Sequence, residues 1–428
     1  MAMRALNEMT ATEIVAAIAA GTATCEAVAR ACLERIAARE PQVRAWQYFD
    51  PDAALAQART LDRSSPRGPL HGVPFGVKDI IDTCDMPTEY GTPIHKGYQP
   101  RKDAACVALS RRAGALLLGK TVTTEFANVT PGKTCHPLDP ARTPGGSSSG
   151  SAAAVADFMA PLALGTQTTG STTRPASFCG VFGYRPTHGD VRAAGVMEAS
   201  GSLDTVGLLA RSIEDIALYR DVVLGVQPEP VADMPPPRIG FCRPYFWQRL
   251  EPATQKLLEE AAQRLARAGA PVRDVTLPAE FEGLEEAHRW VSGFEMARNL
   301  AWEIDHHWDE ISPAFRAGRV QDGFACTYDR YCGMRRRMEH CQRLLDALFA
   351  DYDVLLAPAA AGEAPVGLHP VPHPWVYMIW TTTHVPSLTL PVFKGPAGLP
   401  VGAQLIARRG EDRRLFAAAR WVYRQLVA

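Results

Sequence analysis

Short apolar segments of strand length alternate with segments of helical period along most of this chain, and that alternation restricts the folds open to it. Val73, Phe75 and Val77 alternate into Lys78, as in a strand buried on at least one face. Cys106 to Ala115 reads as a helix, and Leu116-Leu117-Leu118-Gly119-Lys120 as a buried strand. Ala152 to Met159 is expected as a helix, with Leu162 to Leu164 a short strand after it. Farther on come a strand at Arg238 to Cys242, a helix at Thr254 to Ala268 ended by Gly269, and a strand at Val272 to Leu277. Val354-Leu355-Leu356, Ser387 to Leu390 and Val401 to Ile406 are the last clear core strands. The pattern predicts an α/β fold: one large domain over residues 1–428, a mixed twisted β-sheet covered by helices on both faces.

Two stretches stand apart from the alternation. Residues 1–60 read as a helical part: Thr10 and Glu13 form a capping-box pattern, Gly21 stops that helix, and a second starts near Thr24 with Val28, Cys32 and Ile36 at helical spacing. Residues 226–237 form a Pro-rich internal connector, and 280–350 look mainly helical.

Acidic and basic residues nearly cancel to a formal net charge of −1, which favours neither nucleic acid nor an anionic membrane as partner. The ten cysteines are scattered singly without CxxC spacing, and in so long a chain of Ala-rich composition no disulfide framework is expected. With no apolar signal core in the first residues and no bilayer-length apolar run, a cytoplasmic location is the expectation.

Two glycine-rich stretches carry the chemistry. Gly72-Val73-Pro74-Phe75-Gly76-Val77-Lys78-Asp79 is one; Gly145-Gly146-Ser147-Ser148-Ser149-Gly150-Ser151 through Gly165-Thr166-Gln167-Thr168-Thr169-Gly170-Ser171 is the other. A serine hydroxyl needs a nearby base to act as a nucleophile, and a lysine serves only if burial leaves it neutral. Glycines let backbone amides approach a substrate closely. These parts suit amide or ester hydrolysis. Other readings compete for the same residues. Lys78 could pair with Asp79 at the surface, and at least one of Ser147, Ser148, Ser149 and Ser151 is expected to cap the helix that follows. Gly146 to Gly150 also satisfies G-x-S-x-G, the nucleophile elbow of α/β-hydrolase esterases, with Ser148 as nucleophile; no strand is read before it, as that motif requires. Asp305, His306, His307 and Asp309 lack metal-site spacing, so no metal and no cofactor is implied.

Taken in order, these segments resemble the amidase signature family of Ser-cisSer-Lys hydrolases, together with Ser202-Leu203-Asp204-Thr205-Val206-Gly207 and Gly398-Leu399-Pro400-Val401-Gly402. The resemblance spans nearly the whole chain. It implies Lys78 as base, Ser147 as a bridging serine after a cis peptide bond, and Ser171 as nucleophile. The backbone N–H groups of Thr168, Thr169, Gly170 and Ser171 would form the oxyanion hole. A small-molecule amide is the implied substrate, with esters or carbamates (urethanase-like) served by the same acyl chemistry, and a homodimer is compatible with it. The alternative within the family is the catalytic subunit of a tRNA-dependent amidotransferase. Three positions depart from the commonest pattern. Gln167 replaces an aspartate, Thr169 replaces a glycine, and Arg174 lies one residue later than the usual arginine, as in malonamidase-like members. Arg174 would meet either a substrate carboxylate or an internal one. Trp375, Tyr377 and Trp380 are expected to wall the substrate pocket, within the segment 280–390.

Overall fold

The apolar runs become the strands of one sheet. In the computed structural model these are β1 (Trp46–Phe49), β2 (Pro74–Lys78), β3 (Leu116–Thr121), β4 (Leu162–Gln167), β5 (Phe182–Arg185) and β6 (Thr205–Ala210). The later ones are β7 (Ile239–Cys242), β8 (Val272–Val275), β9 (Val354–Pro358), β10 (Ser387–Lys394) and β11 (Pro400–Ile406). The structure describes residues 4–368 and 374–427; residues 1–3 of the N-terminal stretch, and 369–373 of the segment expected to wall the pocket, lie outside the described residues, as does 428.

Strand order is β1-β3-β2-β4-β6-β5-β10-β11-β9-β7-β8. β2 runs parallel to both β3 and β4, and β7 parallel to β8 and β9, while the remaining pairs are antiparallel. Helices cover both faces, because successive side chains of a strand point to opposite sides. Along β3, Leu116 and Leu118 enter a core shared with Cys25, Leu33 and Ala58, whereas Leu117 enters the larger core with Phe75, Tyr219 and Leu208. The sequence reading of a single α/β domain holds.

The connector 226–237 contains neither helix nor strand. It joins β1–β6 to β7–β11, two groups that each occupy a contiguous part of the sheet. They meet where β5 pairs with β10, Thr389 opposite Gly183 and Leu388 opposite Tyr184. The connector is therefore a link within one sheet and not a domain boundary.

The helical reading of residues 1–60 needs correction. Helices Ala11–Ala19 and Cys25–Val43 are present, and Thr10 makes both bonds of its capping box with Glu13. Arg44, in the left-handed region at φ 55°, then ends the second helix, and Trp46-Gln47-Tyr48-Phe49 pairs with β3 as the edge strand β1. Aromatic residues suit a half-buried strand better than a helix surface. A C-terminal helix, Asp412–Val427, completes the fold. All ten cysteines are free, and among the described residues no helix is long and apolar enough to cross a membrane.

Candidate active site

β2 lies between two parallel neighbours, so its C-terminal end opens at the edge of the parallel strands where loops gather. Lys78 occupies that end and is fully buried. Its Nζ donates to Ser147 Oγ at 2.7 Å and to Thr166 Oγ1, at the end of β4, at 2.6 Å. Burial lowers the lysine from its usual 10.5 to about 7, opposed by the carboxylate of Asp204. Asp79, one residue on, points to the other side of the strand and pairs with Lys120 at 3.2 Å. The Lys78–Asp79 surface pair considered from the sequence does not form; both residues are buried and part company by the pleat.

The peptide bond between Gly146 and Ser147 is cis. Ser148 N donates to Ser171 O at 3.1 Å and so ties the two serine-bearing stretches together. Helix Ser149–Ala156 begins three residues earlier than the sequence reading, and its N-cap Ser148 makes no side-chain cap bond. The four hydroxyls are engaged elsewhere. Ser148 Oγ bridges Thr166 O and N at 3.2 Å, Ser149 Oγ donates to Val122 O, and Ser151 Oγ to Leu164 O. Ser147 Oγ receives Lys78. The expected capping serine is therefore absent. Ser148 also fails as an elbow nucleophile: its hydroxyl is consumed by β4, it is fully buried, and residues 139–146 form no strand.

Ser171 ends the loop 168–171 and faces a pocket of about 110 Å³ lined by Asn128, Thr168, Thr169, Arg174, Ser292 and Arg319, among others. The backbone N–H groups of Thr169, Gly170 and Ser171 donate to no acceptor among the described residues. Gln167 Oε1 accepts from Thr172 N and Thr173 N, both at 3.0 Å, and holds the chain where it turns into helix Thr173–Cys179. A neutral amide oxygen thus does here what the usual aspartate would do for those amides. Thr168 Oγ1 donates to Asp204 at 2.5 Å, and burial pushes the Asp204 carboxyl up to about 6.

Two residues that hold this loop were not read from the sequence. His288, on helix Leu284–Asn299, places Nε2 3.0 Å from both Thr168 O and Thr169 Oγ1. It is fully buried, and burial drops its imidazole to about 3, so the ring is neutral. Thr381, on helix Trp375–Thr382, donates to Thr169 O at 2.7 Å. No spacing connects either position with the loop.

None of the three aromatic residues expected to wall the pocket is among its described lining; Tyr377 comes nearest, packed against Gly170 and beneath Arg174. A Cβ on Gly170 would come within 2.3 Å of its ring, which explains glycine there. Trp375 packs on Phe246 and under Arg249, and Trp380 is wholly in the core, so neither lines the pocket among the described residues. Trp375 is two residues from Tyr377 and so faces nearly the opposite way, whereas Trp380, three residues on, shares its side of the helix but is fully buried; the residue types alone did not convey this.

Arg174 is buried but has no carboxylate partner among the described residues, which removes the internal ion pair. Its Nη2 donates to Gly146 O at 2.5 Å, its guanidinium lies 5.4 Å from the Tyr377 ring centroid, and burial lowers it to about 10. His306 Nδ1 bonds Trp302 O, and His307 Nδ1 bonds Glu310.

The family model for amidases matches residues 27–416. The chain belongs to the amidase family. Among curated members, a glutamyl-tRNA(Gln) amidotransferase subunit of Chloroflexus aggregans is 33% identical over 467 aligned positions, covering 96% of this chain and 95% of that protein. The corresponding subunit of Acidothermus cellulolyticus is 34% identical, covering 99% and 96%. Among solved structures, a crystal structure of an amidase superposes with a TM-score of 0.89 at 31% identity, covering 98% of this chain and all (100%) of that one. The native peptide amidase of Stenotrophomonas maltophilia gives 0.83 at 30%, covering 98% and 97%. This amidase-family chain is thus similar, over nearly its full length, both to one component of an amidotransferase and to hydrolases.

Proposed function

We propose that this protein hydrolyses the C–N bond of a small amide through Lys78, Ser147 and Ser171, and that esters or carbamates enter the same chemistry. The observation that carries the proposal is the fully buried Lys78, held near neutrality at about 7 and 2.7 Å from Ser147 Oγ. Neutral Lys78 takes a proton from Ser147 as Ser147 takes one from Ser171, and Ser171 Oγ adds to the substrate carbonyl carbon. Negative charge on the former carbonyl oxygen is met by the N–H groups of Thr168, Thr169, Gly170 and Ser171; the last three have no other acceptor among the described residues. The C–N bond then breaks, the leaving nitrogen receives the proton back along the relay, and water cleaves the Ser171 ester to free the acid.

A serine-reactive phosphonate followed by peptide mapping is expected to label Ser171. Label on Ser148 alone, or on neither serine, overturns the proposed mechanism.

A second reading, that the chain is the catalytic subunit of an amidotransferase, is favoured by the curated relatives. In that case ammonia would pass to another protein of the complex. Gln167, Thr169 and Arg174 depart from the common pattern and weigh against it. Turnover of simple amides by the purified chain alone supports the hydrolase, and turnover only within a partner complex supports the amidotransferase.

A further inference from the structure

Asp204 ends the turn that enters β6, and its carboxylate is spent on neutral donors. Oδ1 accepts from Thr168 Oγ1 at 2.5 Å, and Oδ2 from the N–H groups of Ala199 and Ser200, both at 2.8 Å. No basic side chain pairs with it among the described residues. β4 and β6 are antiparallel, with Thr166 opposite Val206 and Gln167 opposite Thr205, which sets Thr168 across from Asp204. Thr166 and Thr168 stand two apart, so their side chains come to one face of the strand end. The first hydroxyl accepts from Lys78 Nζ at 2.6 Å, and the second donates to Asp204. Thr166, Thr168 and Asp204 share the wall of a cavity of about 130 Å³ with Ile80, Met197 and Val206, among others, and its described lining holds no basic residue. Lysine and carboxylate thus meet neighbouring hydroxyls of the same strand.

A carboxylate drawn from water without a cationic partner costs stability, and its field reaches neighbours that an ion pair would have shielded. Lys78 is such a neighbour, because the Asp204 charge opposes the effect of burial on it. Resting on the amide hydrolysis proposed above, we propose that Asp204 is a positioning residue of the reaction: its carboxylate fixes Thr168 at the head of the loop 168–171, and its negative charge strengthens Lys78 as the base. The other charges nearby are matched or turned away. Asp79 pairs with Lys120 on the other side of β2, and Glu295, which accepts from Ser200 and Ser202, pairs with Arg335 at 3.7 Å. Arg185 of β5 donates to Val385 O and Thr381 O. His288 on Thr168 O, His384 on Ser202 O and His188 on Gly201 O are all held below the usual imidazole range by burial, so they stay neutral. Glu198, in the same cavity wall, adds to the negative field. A neutral side chain at 204 would be enough if the residue only braced the turn.

The rate at which a serine-reactive phosphonate labels Ser171, followed against pH, reads the neutral fraction of Lys78 without any substrate. In the native enzyme it should fall on the acid side around pH 7. A negative neighbour favours the protonated lysine, so its removal favours the neutral form. Asp204→Asn is therefore expected to move the fall to lower pH by at least ~0.5, and to slow labelling above it by ~10-fold. Asp204→Glu keeps the charge but misplaces the grip on Thr168, so it should slow labelling and leave the midpoint near that of the native enzyme. Thr168→Val should do the same. Asp204→Ser replaces the asparagine variant if circular dichroism shows that variant unfolded. A midpoint unmoved in the folded neutral variant overturns the proposal, and so does native-rate labelling of Thr168→Val. Labelling of the native enzyme separates the two levels. If Ser171 is labelled but its pH response ignores Asp204, this role falls and the hydrolase stands. If native Ser171 is labelled at no pH, the serine mechanism falls and the role of Asp204 with it.

Discussion

In the proposed mechanism Lys78, wholly withdrawn from water and lowered by burial to about 7, serves as a base only in its neutral form, and this sets the expected pH response. As pH falls through about 7, Lys78 gains a proton and can no longer accept one from Ser147, so kcat/KM should fall on the acid side with a midpoint near 7. Charge alone cannot replace it. Both Lys78→Ala and Lys78→Arg are expected to lose at least ~10³ in kcat with the fold retained by circular dichroism, because arginine keeps its proton. Near-normal turnover in the arginine variant would show that the residue supplies charge and not a proton acceptor. The burial of Lys78 was legible in the sequence, because its apolar neighbours on one strand foretell the setting. Arg174 was legible as a position but not as a partner. The Gly146 carbonyl and the Tyr377 ring that meet it come from other segments, and only folding brings them there.

At the level of elements, the loop 168–171 is short of internal support and is gripped from outside. His288 and Thr381 reach it from two helices of the later half of the chain. Under the proposed mechanism His288 would act as a positioning residue, so its loss should disturb where the loop's N–H groups point more than how substrate binds. His288→Ala is expected to lower kcat by ~10–10² with a smaller change in KM, the pattern of an interaction used mainly in the transition state. His288→Gln, whose Nε2 reaches nearly as far as the imidazole Nε2, should recover part of it. A loss confined to KM, or no recovery in the glutamine variant despite intact folding, argues against this role. The sequence could not announce His288, because a buried histidine on an apolar helix face looks the same whether it supports a loop or merely fills space. Helix Ser149–Ala156 starts early for a related reason. Its hydroxyl-bearing residues suggest a cap, but strand β4, the Val122 carbonyl just past β3 and the buried lysine take those hydroxyls first.

On the scale of the whole molecule, the sheet runs past the Pro-rich connector, although the composition changes there. Glu229 and Asp233 are exposed within it, and neither lies in a helix or strand. Cleavage there by a glutamate- and aspartate-specific protease under native conditions should give two fragments that stay together through the β5–β10 pairing and keep most of the amidase activity. Separation of the fragments on gel filtration would mean that the covalent link, and not the sheet, holds the halves together. The same arrangement spreads the site along the gene. Lys78, Ser147, Ser171 and Arg174 precede the connector, whereas His288 and Thr381, which hold the loop before Ser171, follow it. A gene cut short at the connector would therefore still encode every residue proposed to react and none of the grip that the later helices keep on the loop beside them, and its product would be a dead enzyme with an intact signature.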